Sequence, residues 1–306
     1  GVREGATSEA GITAEQKKEA LDRLIAGRLL AQDARAQELD DTDEFREAMK
    51  GNEQGVFITA LFRKEVASSA AVSKADIEAE AKKMKAADNT LSDNDANERA
   101  SRSISQANLR KVQEKLIDNA KKEFPSTINQ EMVEKISRGE TVPDDAVLAN
   151  VAGDNVTYGY VKGELERLAG EGMPDVTRNP VAIKRMLTRE VTGKSLAAYA
   201  KKQGIEGSKW EKITNEDIER TILIDLLAAK IMEDEAPVSD GEVDAYYKEH
   251  PEMFAQHGKT VPLTMVRDQL RGFLRSEKRK SAMNAYIEEL KEKAKITVNE
   301  KALGEV

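Results

Sequence analysis

Residues 213–254, ITNEDIERTILIDLLAAKIMEDEAPVSDGEVDAYYKEHPEMF, contain the pattern that decides the fold. Apolar residues recur there at helical spacing over most of the helix circumference, which predicts a central, buried helix. The recurring residues are Ile218, Ile222, Leu226, Leu227 and Ile231. Thr214 stands where an N-cap residue would begin this helix, and Pro237 breaks it. Ser239, with Glu242 three residues later, forms a capping box that predicts the start of a second helix.

The same design occurs in the first half of the chain. Ser73 lies 166 positions before Ser239 (239 minus 73), and Gly27 lies 166 positions before Gly193 (193 minus 27). We call this constant spacing the repeat offset. Without a gap, the repeat offset also matches identical residues at Leu21, Arg23, Leu30, Ala31, Ala34, Gln37, Leu61, Lys64, Ala70, Val72 and Ala79. A cap and a glycine that share one constant offset predict an internal duplication. The predicted fold class is therefore mainly α, with two related helical lobes and short accessory β-strands.

The predicted domain boundaries follow from this duplication. We expect residues 1–12 to be a disordered leader, residues 13–140 to form the first lobe and residues 146–306 to form the second. Residues 147–161, VLANVAGDNVTYGYV, alternate apolar and polar positions around a Gly-Asp-Asn turn, which predicts a β-hairpin. Residues 295–299, KITVN, alternate as a C-terminal strand would, and we expect this strand to pair with the hairpin.

The first lobe is predicted to begin with a helix over residues 20–39. Its buried stripe is expected to be Leu21, Leu24, Ile25, Leu29 and Leu30. Gly27 lies inside this helix, where glycine costs about 1 kcal/mol relative to alanine, so we interpret it as a position of close helix packing. Residues 40–51 are predicted to be a polar connection, and residues 86–102, rich in Asn, Asp and Ser, a loop or frayed helix end.

Composition limits the function classes. With 306 residues the chain is long enough for two domains, and no apolar run is long enough to cross a membrane. No signal peptide is visible, and we interpret the chain as a mature or trimmed product. The net charge of -8 argues against a nucleic-acid partner, because phosphate binding needs a concentrated basic surface. Cysteine is absent, which excludes thiol catalysis, disulfides and cysteine-based zinc sites.

Catalytic motifs are scarce. The two histidines, His250 and His257, lie in or beside a polar loop, where a solvent-exposed role is favoured over catalysis or metal binding. The carboxylates at residues 233–235 are typical of a solvated helix end. No metalloprotease, nucleophile-elbow, phosphate-loop, dinucleotide or calcium-loop motif is present. The sequence thus predicts no enzyme activity, no cofactor and no metal site.

Aromatic and methionine side chains form the best candidate contact surface. Tyr246, Tyr247, Met253, Phe254 and Met265 are clustered in the chain, and methionine suits surfaces that accept varied apolar partners. We predict that these five residues bind polypeptide clients. The alternative is that they pack between the two lobes.

A long helix is predicted to follow this cluster, over residues 263–294. Its inner side is expected to consist of Val266, Leu270, Phe273, Met283, Tyr286, Ile287 and Leu290.

Several motifs together resemble a known family. These are VSDGEVDAYYKEHPEMF at residues 238–254, the long segment from residue 261 to residue 303, NVAGDNVTYGYV at residues 150–161 and LDRLIAGRLLAQDARAQEL at residues 21–39. They resemble the SurA, PrsA and PpiD family of extracytoplasmic chaperones, most closely over residues 146–306 and more loosely over residues 13–136. The family's isomerase-active members carry a parvulin domain between the two motifs that end the chaperone module. Here only AQHGKT separates Phe254 from Val261.

The resemblance implies chaperoning without prolyl isomerase catalysis. It predicts an ATP-independent holdase of the periplasm or outer cell envelope, in which two helical lobes form a cleft for unfolded or immature envelope proteins. Outer-membrane or secreted proteins are the expected clients, and a homodimer is one expected assembly. Two alternatives stay open: an active peptidyl-prolyl isomerase, and a structural adaptor with one fixed partner.

Overall fold

The computed structural model describes residues 14–69, 72–169, 176–233, 237–256 and 259–299. In these ranges the chain forms ten α-helices, two 3-10 turns and five short strands. The prediction of a mainly helical fold with accessory strands is confirmed. The predicted leader lies outside the described residues.

Helices α1 to α4 are followed by a small mixed region and then by helices α7 to α10. The first four helices are α1 (Ala14–Ala36), α2 (Asp43–Ser68), α3 (Lys74–Ala87) and α4 (Asp93–Glu123). The mixed region contains β1 (Ser126–Ile128), α5 (Gln130–Ser137), β2 (Val147–Val151), β3 (Asp154–Thr157) and α6 (Tyr158–Ala169). The remaining elements are α7 (Pro180–Lys202), α8 (Lys209–Glu233), α9 (Asp240–Glu249), β4 (Ala255–Gln256), β5 (Lys259–Thr260) and α10 (Leu263–Lys293). Short 3-10 turns lie at Leu39–Asp41 and Pro251–Phe254.

The helix bounds repeat along the chain. Helix α7 begins and ends where the repeat offset places the two ends of α1, and α8 and α9 begin where it places the starts of α2 and α3. Helices α4 and α10 are both 31 residues long, but α10 begins slightly later than the repeat offset would place it. The insertion that shifts α10 lies in the connection from α9, which contains the Pro251–Phe254 turn and the β4–β5 pair. These bounds support the predicted duplication.

The chain divides into two compact units that are not consecutive in sequence. Unit 1 consists of residues 1–50 and 219–306, and unit 2 of residues 51–218. Unit 1 therefore contains the first helix of the first repeat and the last helices of the second repeat. Unit 2 contains α4 and α7, which come from different repeats. These units and the lobes predicted at residues 13–140 and 146–306 are different divisions of the chain, so the predicted boundaries stay a prediction.

Corresponding residues build corresponding cores in the two units. In unit 1, α1 and α8 bury Leu30, Ala34, Leu223 and Leu227 together. Their counterparts at the repeat offset, Leu196, Ala200, Phe57 and Leu61, form one cluster in unit 2. In each unit, a helix from one repeat thus packs against a helix from the other repeat.

Helix starts are set by side-chain caps. The hydroxyls of Ser73, Ser92 and Ser239 each accept a hydrogen bond from the backbone N–H three residues later. The Glu242 side chain accepts in return from the Ser239 backbone N–H at 2.7 Å, so the predicted capping box is confirmed. Asn179 caps α7, with Pro180 as its first residue.

Three predicted boundaries are wrong, and each error has a local cause. Helix α2 begins at Asp43 inside the predicted polar connection, where the Thr42 hydroxyl accepts from the Phe45 N–H at 3.2 Å. Helix α4 begins at Asp93 inside the predicted loop, because Ser92 caps it and its polar first turns bury small alanines against α3. Helix α8 begins at Lys209, so Thr214 is an internal, buried residue and not the N-cap.

The predicted hairpin is confirmed, but its predicted partner is wrong. Strands β2 and β3 pair antiparallel, and the other edge of β2 pairs with β1 through Thr127 and Asn150. Residues 295–299 form no strand. A segment becomes a strand only by pairing with a neighbouring strand, and β1 already occupies that edge of β2.

Gly27 has room for a side chain. A Cβ added there would meet the Ile224 Cδ1 atom at 3.9 Å, an ordinary contact. At the corresponding Gly193, a Cβ would meet Ile58 Cδ1 at 4.0 Å and would also collide with the Gln54 side chain. Close packing therefore does not require glycine at position 27. The predicted stripe around it is also incomplete, because Leu24 is 59% exposed.

We expect Gly27→Ala to raise the free energy of unfolding by about 0.5–1 kcal/mol, because alanine favours the helix and the space is available. Urea unfolding followed by circular dichroism measures this change. Gly193→Ala is the matched control and should gain less, since the Gln54 side chain must move. A loss of stability in Gly27→Ala would contradict the expectation.

A polar contact joins α1 to α10 within unit 1. The Tyr286 hydroxyl donates to Asp33 Oδ2 at 2.6 Å, and Gln37 Nε2 donates to the Tyr286 oxygen at 3.0 Å. Burial, followed by the hydrogen bond to Asp33, raises the pKa of Tyr286 to about 12. The hydroxyl should therefore stay protonated in the folded chain at pH values where it ionises in the unfolded chain.

We expect Tyr286→Phe to lower the free energy of unfolding by about 0.5–1.5 kcal/mol near neutral pH. Because the folded pKa lies above the ordinary value of 10.0, this contribution is present below pH 10 and is lost as the pH rises towards 12. Urea unfolding of both proteins between pH 8 and pH 11.5 measures the difference. A difference that stays constant over this range would show that Tyr286 does not titrate as described.

Candidate functional site

An apolar pocket lies between α9 and α10 in unit 1. Its volume is about 330 Å³, near the lower end of the range of about 300–1,000 Å³ for ligand pockets. The lining residues are Tyr246, Met253, Phe254, Val261, Val266, Gln269, Leu270 and Phe273. Among the lining residues that fall within the described ranges, Gln269 is the one side-chain amide and none is charged. The pocket therefore suits one or two apolar side chains.

Tyr246 organises the aromatic wall of the pocket. Its ring centroid lies 5.5 Å from that of Phe273 and 4.3 Å from that of His250. The Tyr246 hydroxyl points to the Met253 sulfur at 3.6 Å. These contacts fix the tyrosine ring, and they leave the methionine and phenylalanine side chains at the pocket rim.

Tyr247 anchors the connection that closes one end of the pocket. Its ring packs on Phe254 with the centroids 4.7 Å apart, and its hydroxyl donates to the Val261 carbonyl oxygen at 2.7 Å. Between Phe254 and Val261, β4 and β5 pair antiparallel. The tyrosine thus ties both ends of this connection to α9.

The floor and the rim of the pocket differ in exposure. Leu270 is buried at the floor, whereas Phe273 is 42% exposed and Met253 is 59% exposed. Large apolar side chains exposed around a concave surface are a feature of ligand-binding and protein-interaction sites. The rim residues can therefore contact a ligand without first leaving a packed core.

Ion pairs hold α9 and α10 together beside the pocket. Arg267 contacts Asp240 at 3.2 Å and Asp244 at 2.9 Å, and Lys278 contacts Glu242 at 2.7 Å. The hydrogen bond from Lys278, followed by those from the backbone and hydroxyl of Ser239, lowers the pKa of Glu242 to about 2. The charged groups of these three pairs are thus engaged between the two helices.

The corresponding helix pair in unit 2 is packed through small residues. Helices α3 and α4 bury Ala81, Ala96 and Ala100 together. When α3 is aligned with α9 and α4 with α10 from their first residues, the counterparts of these alanines around the pocket are Tyr247, Val266 and Leu270, and Phe273 corresponds to Ser103. Alanines allow two helices to approach closely, whereas larger side chains hold them apart. The larger side chains around the pocket are therefore a feature of the second repeat.

Three of the five predicted site residues line the pocket together: Tyr246, Met253 and Phe254. Tyr247 lies behind Phe254, and Met265 is 76% exposed and lies outside the lining. The prediction did not include five lining residues, which are Val261, Val266, Gln269, Leu270 and Phe273. A signal for three of them was present, because Val266, Leu270 and Phe273 recur on the helix side that was predicted to face inward.

Other chemistry is limited within the part of the chain that the structure describes. No group of three or more histidine, aspartate or glutamate side chains is arranged to hold a metal ion there. His250 Nδ1 lies 3.5 Å from Glu252 at the end of α9, and His257 falls outside the described ranges. Among the same residues, no helix is long and apolar enough to cross a membrane.

We expect Phe273→Ser, which introduces the residue found at the corresponding position of α4, to lower the free energy of unfolding by about 1 kcal/mol, because the ring is partly buried beside Tyr246. The same change should lower the fluorescence of the apolar dye bis-ANS bound to the native chain by about twofold, since it removes part of the rim. Met265→Ser, outside the lining, is the control and should bind the dye normally. Equal losses in both variants would show that the dye does not report on this pocket.

A comparison of the chain with protein-family models, with curated proteins and with solved structures found no match in any of the three. The resemblance to extracytoplasmic chaperones therefore stays a prediction from the sequence motifs.

Proposed function

We propose that the chain is an ATP-independent chaperone, a holdase that binds unfolded or immature envelope proteins in the periplasm or outer cell envelope and has no isomerase activity. The observation that carries this proposal is the apolar pocket between α9 and α10, whose rim exposes Met253 and Phe273. The family-like motifs, which include the pocket-forming residues 238–254, supply the compartment and the client class.

The pocket chemistry fits promiscuous recognition of apolar side chains. Met253 is flexible and polarisable, so it can adjust to ligands of different shape. Tyr246 and Phe273 offer aromatic faces that accept aliphatic or aromatic groups. Because the lining residues that the structure describes include a single amide and no charged group, they discriminate little among apolar sequences.

The pocket size fits release without nucleotide. A volume of about 330 Å³ accommodates one or two client side chains, which limits the apolar area that one contact can bury. Affinity for an unfolded client then depends on repeated weak contacts, and each contact can dissociate by itself. Folding of the client removes its exposed apolar side chains, and binding ends without an energy source.

We expect the protein, in severalfold molar excess, to suppress the light scattering of a urea-denatured outer-membrane β-barrel protein after dilution, equally with and without ATP. Phe273→Ser and Met253→Ser should each reduce the suppression severalfold, because they remove rim contacts, whereas Met265→Ser should retain it. No suppression by the unaltered protein would contradict the proposed function. Suppression that the rim variants leave intact would exclude this pocket as the client site.

The same protein should show no turnover in a proline-isomerisation assay with a short peptide.

A pull-down from denatured envelope extract should recover many proteins in low amounts. One partner recovered in stoichiometric amount would identify an adaptor and would contradict the holdase proposal.

A further inference from the structure

Helix α10 contains a glycine in its interior, beside the pocket. Gly272 directly precedes Phe273 and lies three residues after Gln269, so it lies on the side of the helix that carries the pocket rim. Glycine is unfavourable inside a helix, and it is typical of places where a turn, a close packing contact or the approach of a ligand backbone requires it. Because α10 continues through Gly272 to Lys293, no turn requires this glycine.

Packing within the described part of the chain does not require it either. A Cβ added at Gly272 would meet no atom from another segment of the described residues within 4 Å. The residue is also exposed. The space over Gly272 is therefore open to a ligand that reaches the pocket.

The side-chain amide of Gln269 lies next to this open space. Gln269 is exposed, and its side chain makes no hydrogen bond with any of the described residues. A primary amide combines donors with an acceptor, as a backbone peptide group does. Gln269 can therefore form hydrogen bonds with the backbone of a ligand whose side chain enters the pocket.

The corresponding surface of α4 is covered by charged side chains. When α4 and α10 are aligned from their first residues, Arg99 corresponds to Gln269 and Arg102 corresponds to Gly272. Both arginines are exposed, and Arg102 forms an ion pair with Glu98 at 2.5 Å. Helix α10 has no charged side chain at these two positions. An uncharged peptide backbone can therefore lie there without displacing a hydrated charge.

We propose that an unfolded client binds with its backbone extended along α10, over Gly272 and hydrogen-bonded to Gln269, while one of its apolar side chains occupies the pocket. This inference rests on the proposed holdase function and adds a second requirement to it, because the client must offer an unpaired peptide group next to the apolar side chain. In a folded protein most peptide groups are already paired within helices and sheets. Gln269 thus helps to distinguish unfolded chains from folded ones.

The test is fluorescence anisotropy with the whole chain and a fluorescein-labelled peptide of alternating serine and leucine residues. A second peptide has the same sequence with N-methylated backbone nitrogens, which removes the backbone donors and keeps the side chains. We expect the unaltered chain to bind the unmethylated peptide about fivefold more tightly, the equivalent of one hydrogen bond. Gln269→Met removes the amide at similar side-chain length and should lower this preference towards equal binding. Phe273→Ser should weaken the binding of both peptides and keep the preference.

The glycine is tested by the residue found at the corresponding position of α4. Gly272→Arg should weaken binding of the unmethylated peptide severalfold, because the added side chain occupies the space over which the backbone passes. Gly163→Arg is the matched control, since Gly163 is an exposed glycine inside α6 with equally open surroundings, and this variant should bind the peptide normally. Arginine favours the helix more than glycine does, so both variants should keep the helicity of the unaltered chain.

The outcomes separate this inference from the proposed function. Equal binding of the two peptides by the unaltered chain, together with a loss in Phe273→Ser, would overturn the backbone contact and keep the pocket as the client site. Unchanged binding in Gly272→Arg, or an equal loss in Gly163→Arg, would overturn it as well. Failure of the unaltered chain to bind either peptide, or full binding by Phe273→Ser, would overturn the pocket as the client site and this inference with it.

Discussion

The packing of a helix from one repeat against helices from the other is the constraint on which the structure depends. Leu30 and Ala34 of α1 are buried against Leu223 and Leu227 of α8, and the corresponding positions of α7 and α2 pack in the same way in unit 2. Neither repeat therefore contains the whole of its own core. Even the surroundings of the two helix glycines correspond, because a Cβ added at Gly27 would lie 3.9 Å from Ile224 Cδ1 and one added at Gly193 would lie 4.0 Å from Ile58 Cδ1. The buried positions of α1 and α8, and those of α2 and α7, are thus completed across the two repeats.

The two units share this helix arrangement, but they differ in the polarity of corresponding contacts and in helix packing. Asp33 and Tyr286 form a hydrogen bond in unit 1, whereas Tyr199 and Leu116 at the corresponding positions belong to an apolar cluster in unit 2. The alanines between α3 and α4 are replaced around α9 and α10 by side chains that enclose a pocket, and ion pairs from Arg267 and Lys278 link the separated helices. One unit thus uses its helix pair for close packing, and the other uses it to present an apolar surface.

Local signals in the sequence predicted most of the helices, and the errors arose where tertiary contacts decide. The Ser239 capping box, the Asn179–Pro180 start of α7 and the β2–β3 hairpin depend on neighbouring residues, and all were predicted. The first turns of α4 were not predicted, because their Asn, Asp and Ser residues favour loops. The Ser92 cap and the burial of Ala96 and Ala100 against α3 together make them helical. The pairing of β1 could not be read from alternation alone, since three residues give too short a pattern. For the pocket, chain proximity identified Tyr246, Met253 and Phe254, but it could not identify Phe273 on a different helix.

The packing of helices across the two repeats also determines when each part of the core can form during synthesis. Asp33 meets its partner 253 residues later in the chain, so α1 leaves the ribosome long before α10 exists. Contacts of such long sequence separation slow folding, because the loop between the partners must first be ordered. Until α8 has been synthesised, Leu30 and Ala34 lack the Leu223 and Leu227 side chains against which they are buried, and the nascent chain must keep these surfaces from aggregating. During its synthesis this protein is therefore itself an unfolded chain with exposed apolar residues, like the clients that we propose it binds.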